Sequence, residues 1–139
     1  ESCTGGLVSS SITSIAGSSN FFDSAIISYS NKAKIELLGV NKNLILKYGA
    51  VSKEVALSMV KNLHRLTKSH ICVSITGIAG PDGGTKKKPI GTVYFSIYKK
   101  IGKYIEINNY KEHFNYKNRI TIQKKSNEFV IQKLISVID

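Results

Sequence analysis

The residues best suited to chemistry stand at the start of the chain, in the stretch Glu1-Ser2-Cys3-Thr4-Gly5-Gly6. A hydroxyl and a thiol here directly precede a segment with apolar residues at helical spacing, which Gly17 ends. The first turn of a helix has unpaired N–H groups and the positive end of the helix dipole. Backbone groups of Thr4, Gly5 and Gly6 could therefore stabilise an oxyanion or hold a phosphate. Taken alone, the stretch is also consistent with a helix N-cap and a loop.

Two cysteines and three histidines supply the sulfur and imidazole side chains of the sequence. Cys3 is a second potential nucleophile, because a thiol at a helix N-terminus commonly has a lowered pKa. Cys72 lies within the apolar segment 71–75, which predicts a buried core residue. The three histidines have no partner at metal-ligand spacing, so the sequence indicates neither a metal site nor a cofactor.

Composition limits the class of protein. The 139 residues are 42% hydrophobic, and no apolar run is long enough to cross a bilayer, so we expect one soluble globular domain without membrane association. Two cysteines are too few for a disulfide framework, which favours a cytoplasmic location. The net charge of +11 would attract any polyanion, but the lysines are dispersed along the chain. A nucleic-acid binder is thus an alternative motivated by charge alone, and we do not expect it.

The order of predicted elements favours an α/β fold, a three-layer α/β/α sandwich with a mixed sheet. A predicted strand, Phe22–Ser30, runs into a short helix over 32–38 that Asn31 could cap, which places Tyr29 and Lys34 at a strand-to-helix junction. Apolar spacing predicts the other helices at about 7–17, 41–48, 53–68 and 118–138, and the other strands at 71–76, 92–98 and 104–112.

A glycine-rich loop follows the predicted buried strand 71–76. The segment 77–85 contains four glycines and a proline, and three lysines come directly after it. Such a loop offers little side-chain bulk and many free N–H groups, as ligand-binding loops do. It matches neither the phosphate-binding loop that closes with Gly-Lys-Ser/Thr nor the dinucleotide fingerprint.

With these segments in order, the sequence resembles the carboxy-terminal domain of the competence- and damage-inducible CinA family, whose stand-alone members are nicotinamide mononucleotide deamidases. The resemblance is dense from residue 1 to about 98 and thin beyond it. Its matching segments are Glu-Ser-Cys-Thr-Gly-Gly at 1–6, Ala-Gly-Ser-Ser at 16–19, Tyr-Ser-Asn with Ala-Lys at 29–34, Leu-Gly-Val at 38–40, Tyr-Gly-Ala-Val-Ser at 48–52, Thr-Gly-Ile-Ala-Gly-Pro with Gly-Gly-Thr at 76–85, and Lys-Pro-Ile-Gly-Thr-Val-Tyr at 88–94.

The resemblance implies hydrolysis of the carboxamide of nicotinamide mononucleotide, giving nicotinic acid mononucleotide and ammonia in NAD salvage, by a homo-oligomer that needs no metal. The family's nucleophile falls on Ser2, and its tyrosine and lysine fall on Tyr29 and Lys34. Either Lys34 or Tyr29 could be the base. Cys3 stays open as the alternative nucleophile, although we expect the serine to serve.

The resemblance also implies a mononucleotide pocket, for which the matching residues are Thr76, Gly77, Gly80, Gly83, Gly84, Thr85 and Arg119. Here Tyr116-Lys117-Asn118-Arg119 replaces the family's Gly-Asp-Arg, and Gln123 stands where a further arginine is expected. These departures motivate an alternative function, a catalytically degenerate nucleotide-binding module. The chain also starts at the Ser2 loop and lacks the helix and strand that precede it in the family. Two interpretations stay open: an upstream segment has been omitted, or the gene product is naturally truncated here.

Overall fold

One three-stranded antiparallel sheet, in the order β1-β2-β3, carries the fold. The computed structural model describes all 139 residues. The strands are β1 (Ile71–Gly77), β2 (Thr92–Ile101) and β3 (Tyr104–His113). The helices are α1 (Leu7–Thr13), α2 (Asn31–Glu36), α3 (Lys42–Tyr48), α4 (Lys53–Thr67) and α5 (Arg119–Ile138), with a short 3-10 helix at Ser18–Asn20.

Helices cover both faces of this sheet. Alternation along β1 turns Ser74 toward α4, where its hydroxyl donates to Ala56 O at 2.6 Å. Ile75 and its β2 partner Phe95 point to the opposite face, where they join a core formed with residues of α1 and α5 such as Val8 and Ile122. The α/β class and the three layers are therefore as predicted.

The prediction of a strand over 22–30 is wrong. Residues 22–29 are outside every helix and strand. Between backbone groups, this segment makes one local hydrogen bond, from Phe22 N to Ser18 O, and two with Glu1: Glu1 N donates to Ile26 O at 2.7 Å, and Ser28 N donates to Glu1 O at 2.9 Å. One neighbouring residue is too short a partner for a ladder. Without this strand the sheet is antiparallel throughout instead of mixed.

The helix starts follow from side-chain caps. Ser52 accepts a hydrogen bond from Val55 N at the start of α4, as predicted. At α2 the cap is Ser30, which accepts from Ala33 N at 3.0 Å, and not the predicted Asn31. The ψ of 162° at Ser30 shows why, because an N-cap residue is still extended while Asn31 is already helical. None of the helices combines the length and apolar character needed to cross a membrane.

Candidate active site

The Ser2 loop, defined here as residues 1–6, is held by the carboxylate of its first residue. Glu1 accepts hydrogen bonds from Thr4 Oγ1 at 2.7 Å, from Gly6 N at 3.0 Å, and from the N–H groups of Val8 and Ser9 in α1. Burial acts to raise the pKa of this carboxyl, but the hydrogen bonds outweigh burial and lower the pKa overall. The carboxylate therefore caps α1 from the loop itself, and the loop is fixed to the helix.

Ser2 and Lys34 meet inside the protein. Lys34 Nζ lies 2.9 Å from Ser2 Oγ, and the two residues are only 1% and 6% exposed, respectively. The same nitrogen donates to Ser28 O at 2.9 Å and to Tyr29 O at 3.3 Å. Helix α2 supplies the lysine, and two residues just before that helix supply both carbonyls.

No carboxylate neutralises Lys34. The two ion pairs of the chain, Lys32–Glu36 and Lys125–Glu128, lie elsewhere. Burial therefore lowers the pKa of Lys34, and the nearby Cys3 opposes this only in part. A neutral lysine amine has two N–H bonds and one lone pair. If the carbonyls of Ser28 and Tyr29 take the two N–H bonds, the lone pair faces Ser2 Oγ, so the arrangement can accept the serine proton.

Cys3 is a core residue in this structure. It is 5% exposed, and burial raises its pKa to about 12, the opposite of the lowered pKa that its position before a helix predicts. Its sulfur packs against Gly77, where an added Cβ would lie 3.0 Å from Cys3 Sγ and 2.7 Å from Val93 Cγ2. The close approach explains the glycine, and the buried thiol is poorly suited to be a nucleophile.

The free backbone donors of the Ser2 loop differ from those predicted. Gly5 N donates to Ser2 O at 3.0 Å and Gly6 N donates to Glu1, so both predicted donors already have acceptors. The N–H of Thr4, the third predicted donor, has no acceptor within the protein, and neither has the N–H of Cys3. The chain turns sharply here, with Gly6 at a φ of 102°, and this path decides which N–H groups stay unpaired.

Tyr29 and Arg119 form a contact beside the Ser2–Lys34 pair. One guanidinium nitrogen of Arg119 donates to the Tyr29 hydroxyl, and the other donates to Gly80 O at 2.6 Å. The Tyr29 hydroxyl makes no hydrogen bond to Ser2 or Lys34, whereas its backbone carbonyl accepts one from Lys34. Arg119 thus connects the segment before α2 to the glycine-rich loop, and a proton relay through Tyr29 stays a prediction.

The predicted pocket residues are in different environments. Thr76 is buried, and its hydroxyl donates to Ala50 O at 2.9 Å; Gly83 is exposed and lies outside any helix or strand. Gly84 and Thr85 line an open cleft of about 690 Å³ between the glycine-rich loop and the β3–α5 connection. Neither Ser2 nor Lys34 lines it. The other lining residues are Pro81, Lys86, Pro89, Ile90, His113, Asn115, Tyr116 and Lys117.

One contact to the Ser2 loop was not expected from the sequence. Gln123 of α5 donates from Nε2 to Cys3 O at 2.8 Å. No spacing or motif signals a contact between residues so far apart in the chain. Nowhere do three or more His, Cys, Asp or Glu side chains gather as a metal-ligand set.

Comparison with known proteins places this geometry in a family. Residues 1–138 match the model of the CinA C-terminal domain. A CinA-like protein of Thermosipho melanesiensis is 48% identical over 126 residues, which cover 91% of this chain and 31% of that protein. The nicotinamide-nucleotide amidohydrolase PncC of Enterobacter agglomerans is 50% identical over 103 residues, covering 74% of this chain and 63% of that protein.

A solved structure agrees along almost the whole chain. The competence/damage inducible protein CihA from Agrobacterium tumefaciens superposes with a TM-score of 0.93 at 32% identity, covering 99% of this chain and 82% of that one. The chain spans less than a third of the length of the CinA-like relatives from Thermosipho melanesiensis and Prochlorococcus marinus. The family match, the relatives and the superposition agree, and the chain belongs to the CinA C-terminal domain family.

Proposed function

We propose that this domain hydrolyses the carboxamide of nicotinamide mononucleotide to nicotinic acid mononucleotide and ammonia. The observation that carries the proposal is the 2.9 Å contact between the buried Ser2 hydroxyl and Lys34 Nζ. It provides the activated nucleophile that hydrolysis of an amide requires. The name of the PncC relative supports the substrate, a nicotinamide nucleotide.

The reaction would proceed in two halves. Ser2 Oγ attacks the carboxamide carbon while Lys34 accepts the serine proton, and Lys34 then protonates the nitrogen that leaves as ammonia. In the second half, water attacks the acyl carbon and gives a proton to Lys34. The ester C–O bond breaks and Ser2 recovers its proton from Lys34, so the enzyme is restored and one water is consumed.

The tetrahedral oxyanion needs hydrogen-bond donors. We assign this role to the N–H groups of Cys3 and Thr4, because both belong to the Ser2 loop and both lack an acceptor within the protein. The raised pKa of the Cys3 thiol supports Ser2 as the nucleophile and leaves Cys3 its backbone role alone.

For the nucleotide part of the substrate we propose the cleft beside the glycine-rich loop. Lys86 and Lys117 line it, and their charges suit a phosphate. Arg119 links the Ser2–Lys34 pair to the glycine-rich loop that borders this cleft, since it contacts both Gly80 in that loop and Tyr29, whose carbonyl accepts a hydrogen bond from Lys34. We further propose that the protein works in the cytoplasm as a homo-oligomer, which light scattering on the purified chain would test.

The test is ammonia release from nicotinamide mononucleotide, with calorimetric titration of the mononucleotide on the same sample. Release of ammonia stoichiometric with nicotinic acid mononucleotide supports the proposal. A folded chain that binds the mononucleotide and releases no ammonia would overturn the proposal in favour of a degenerate nucleotide-binding module. Circular dichroism on the same sample shows whether the chain is folded.

A further inference from the structure

In each of two consecutive peptide groups of the Ser2 loop, the carbonyl oxygen accepts a hydrogen bond that fixes the orientation of the group. Ser2 O accepts from Gly5 N at 3.0 Å, and Cys3 O accepts from Gln123 Nε2 at 2.8 Å. In a planar trans peptide the carbonyl and the following N–H point in opposite directions. A hydrogen bond to the carbonyl therefore also fixes where that N–H points, here the N–H groups of Cys3 and Thr4.

The two hydrogen bonds that fix these carbonyls differ in origin. The first lies within the loop, but the second comes from α5, 120 positions away in the chain. The donor is held on a rigid element: its neighbour Ile122 and the next helical turn at Ser126 are both fully buried, and Asn118 caps the helix through Thr121 N. The Gln123 amide can therefore hold the Cys3–Thr4 peptide in one orientation.

We infer that Gln123 is a positioning residue for catalysis, which holds the Cys3–Thr4 peptide so that the Thr4 N–H faces the oxyanion. The inference rests on the proposed function and adds a residue to it. Gln123 does not touch the reacting atoms in this scheme. It acts through the Cys3–Thr4 peptide. By fixing that peptide plane, it controls the orientation of the Thr4 N–H, which binds the developing charge of the oxyanion.

This role has a distinct kinetic signature. An oxyanion donor acts in the transition state, so loss of its orientation lowers kcat and leaves KM nearly unchanged. Misplacing a catalytic group by about 1 Å costs on the order of 100-fold in rate, so we expect a fall in kcat of roughly 10- to 100-fold. A merely structural glutamine would lower the melting temperature without lowering kcat per folded molecule.

The experiment compares three variants with the wild-type chain. Gln123→Met keeps the length of the side chain and removes the donor, Gln123→Lys keeps a donor, and Gln132→Met places the same substitution at an exposed site on the same helix. We expect kcat to fall in Gln123→Met with KM within about two-fold, to recover largely in Gln123→Lys, and to stay unchanged in Gln132→Met. A folded Gln123→Met with wild-type kcat, or with a raised KM alone, would overturn the inference.

A second readout does not depend on turnover. The ¹H–¹⁵N amide resonance of Thr4 should shift or broaden in Gln123→Met and stay in place in Gln132→Met. An unmoved Thr4 resonance in Gln123→Met would show that Gln123 does not fix the orientation of the Cys3–Thr4 peptide, and would overturn the inference. A wild-type chain that releases no ammonia overturns the proposed function instead, so the two failures are distinguishable.

Discussion

Lys34 Nζ lies 2.9 Å from Ser2 Oγ although the two residues are 32 positions apart in the chain. The folding of α2 against the Ser2 loop creates this contact, and it places a lysine in the interior without a carboxylate partner. Such burial is unfavourable for the charged form. This destabilisation of the charged form suits catalysis, because a lysine that loses its proton readily can serve as a base.

The first prediction concerns pH. Burial lowers the pKa of Lys34, so its neutral form is present at a lower pH than in a free lysine, and kcat/KM should rise with a midpoint below 10.5. Lys34→Arg should be inactive across the range because arginine keeps its proton. Lys32→Arg, an exposed site two residues earlier, is the control. A midpoint at or above 10.5, or an active Lys34→Arg, would contradict the role of Lys34 as base.

The second prediction concerns the Glu1 cap. Glu1→Ala removes the acceptor of four hydrogen bonds, so the free energy of unfolding at pH 7 should fall by about 1–2 kcal/mol. The pKa of Glu1 is lowered by folding. Its contribution is therefore fully present above the ordinary value of 4.5 and is lost as the pH falls through the lowered value.

Urea unfolding at several pH values measures this effect. The difference between wild type and Glu1→Ala should be largest near neutral pH and shrink in acid. Glu128→Ala, which removes only the surface pair with Lys125, provides the comparison and should have a smaller effect. Equal stability of wild type and Glu1→Ala at pH 7 would show that the cap contributes nothing.

The third prediction concerns the coupling of Tyr29 to Arg119. Because the Tyr29 hydroxyl accepts from Arg119, removing either partner should disturb the same element of the site. We expect Tyr29→Phe and Arg119→Lys each to lower kcat/KM, mainly through KM. The double variant should be little worse than the more damaged single variant, with a coupling of about 1 kcal/mol or more.

Steady-state kinetics of the four chains of this cycle give the coupling energy. Tyr104→Phe is the matched control, since that hydroxyl contacts only Glu106 at the exposed end of the β2–β3 hairpin. Additive effects of Tyr29→Phe and Arg119→Lys on kcat/KM would contradict the prediction, because they would show that the contact between the two side chains does not contribute to kcat/KM.

The elements of the fold were largely predictable because each has a strong local pattern. The alternation of Val93, Phe95 and Ile97 predicts strand β2, and the stripe of apolar residues along 53–68 predicts helix α4. The prediction of a strand over 22–30 was wrong because an apolar run does not by itself make a strand. A strand also needs a partner of comparable length, and the sequence does not say what lies beside it.

The candidate site was predictable in part. The resemblance singled out Ser2 and Lys34, which the structure brings into contact. The direction of the Cys3 pKa shift was missed because it depends on burial, which tertiary packing decides. The free N–H of Cys3 and the contact from Gln123 were missed because the path of the loop determines both, and no periodic pattern encodes that path.

The most direct test of the central claim is ammonia release from nicotinamide mononucleotide by Ser2→Ala and Cys3→Ala, measured beside wild type. Ser126→Ala, which removes a buried hydroxyl bonded only to Ile122 O, controls for the loss of a serine from the interior. We predict that Ser2→Ala loses activity by about 1,000-fold or more, as expected for a nucleophile. Cys3→Ala and Ser126→Ala should stay within a few-fold of wild type. An active, folded Ser2→Ala together with an inactive, folded Cys3→Ala would contradict the assignment of the nucleophile.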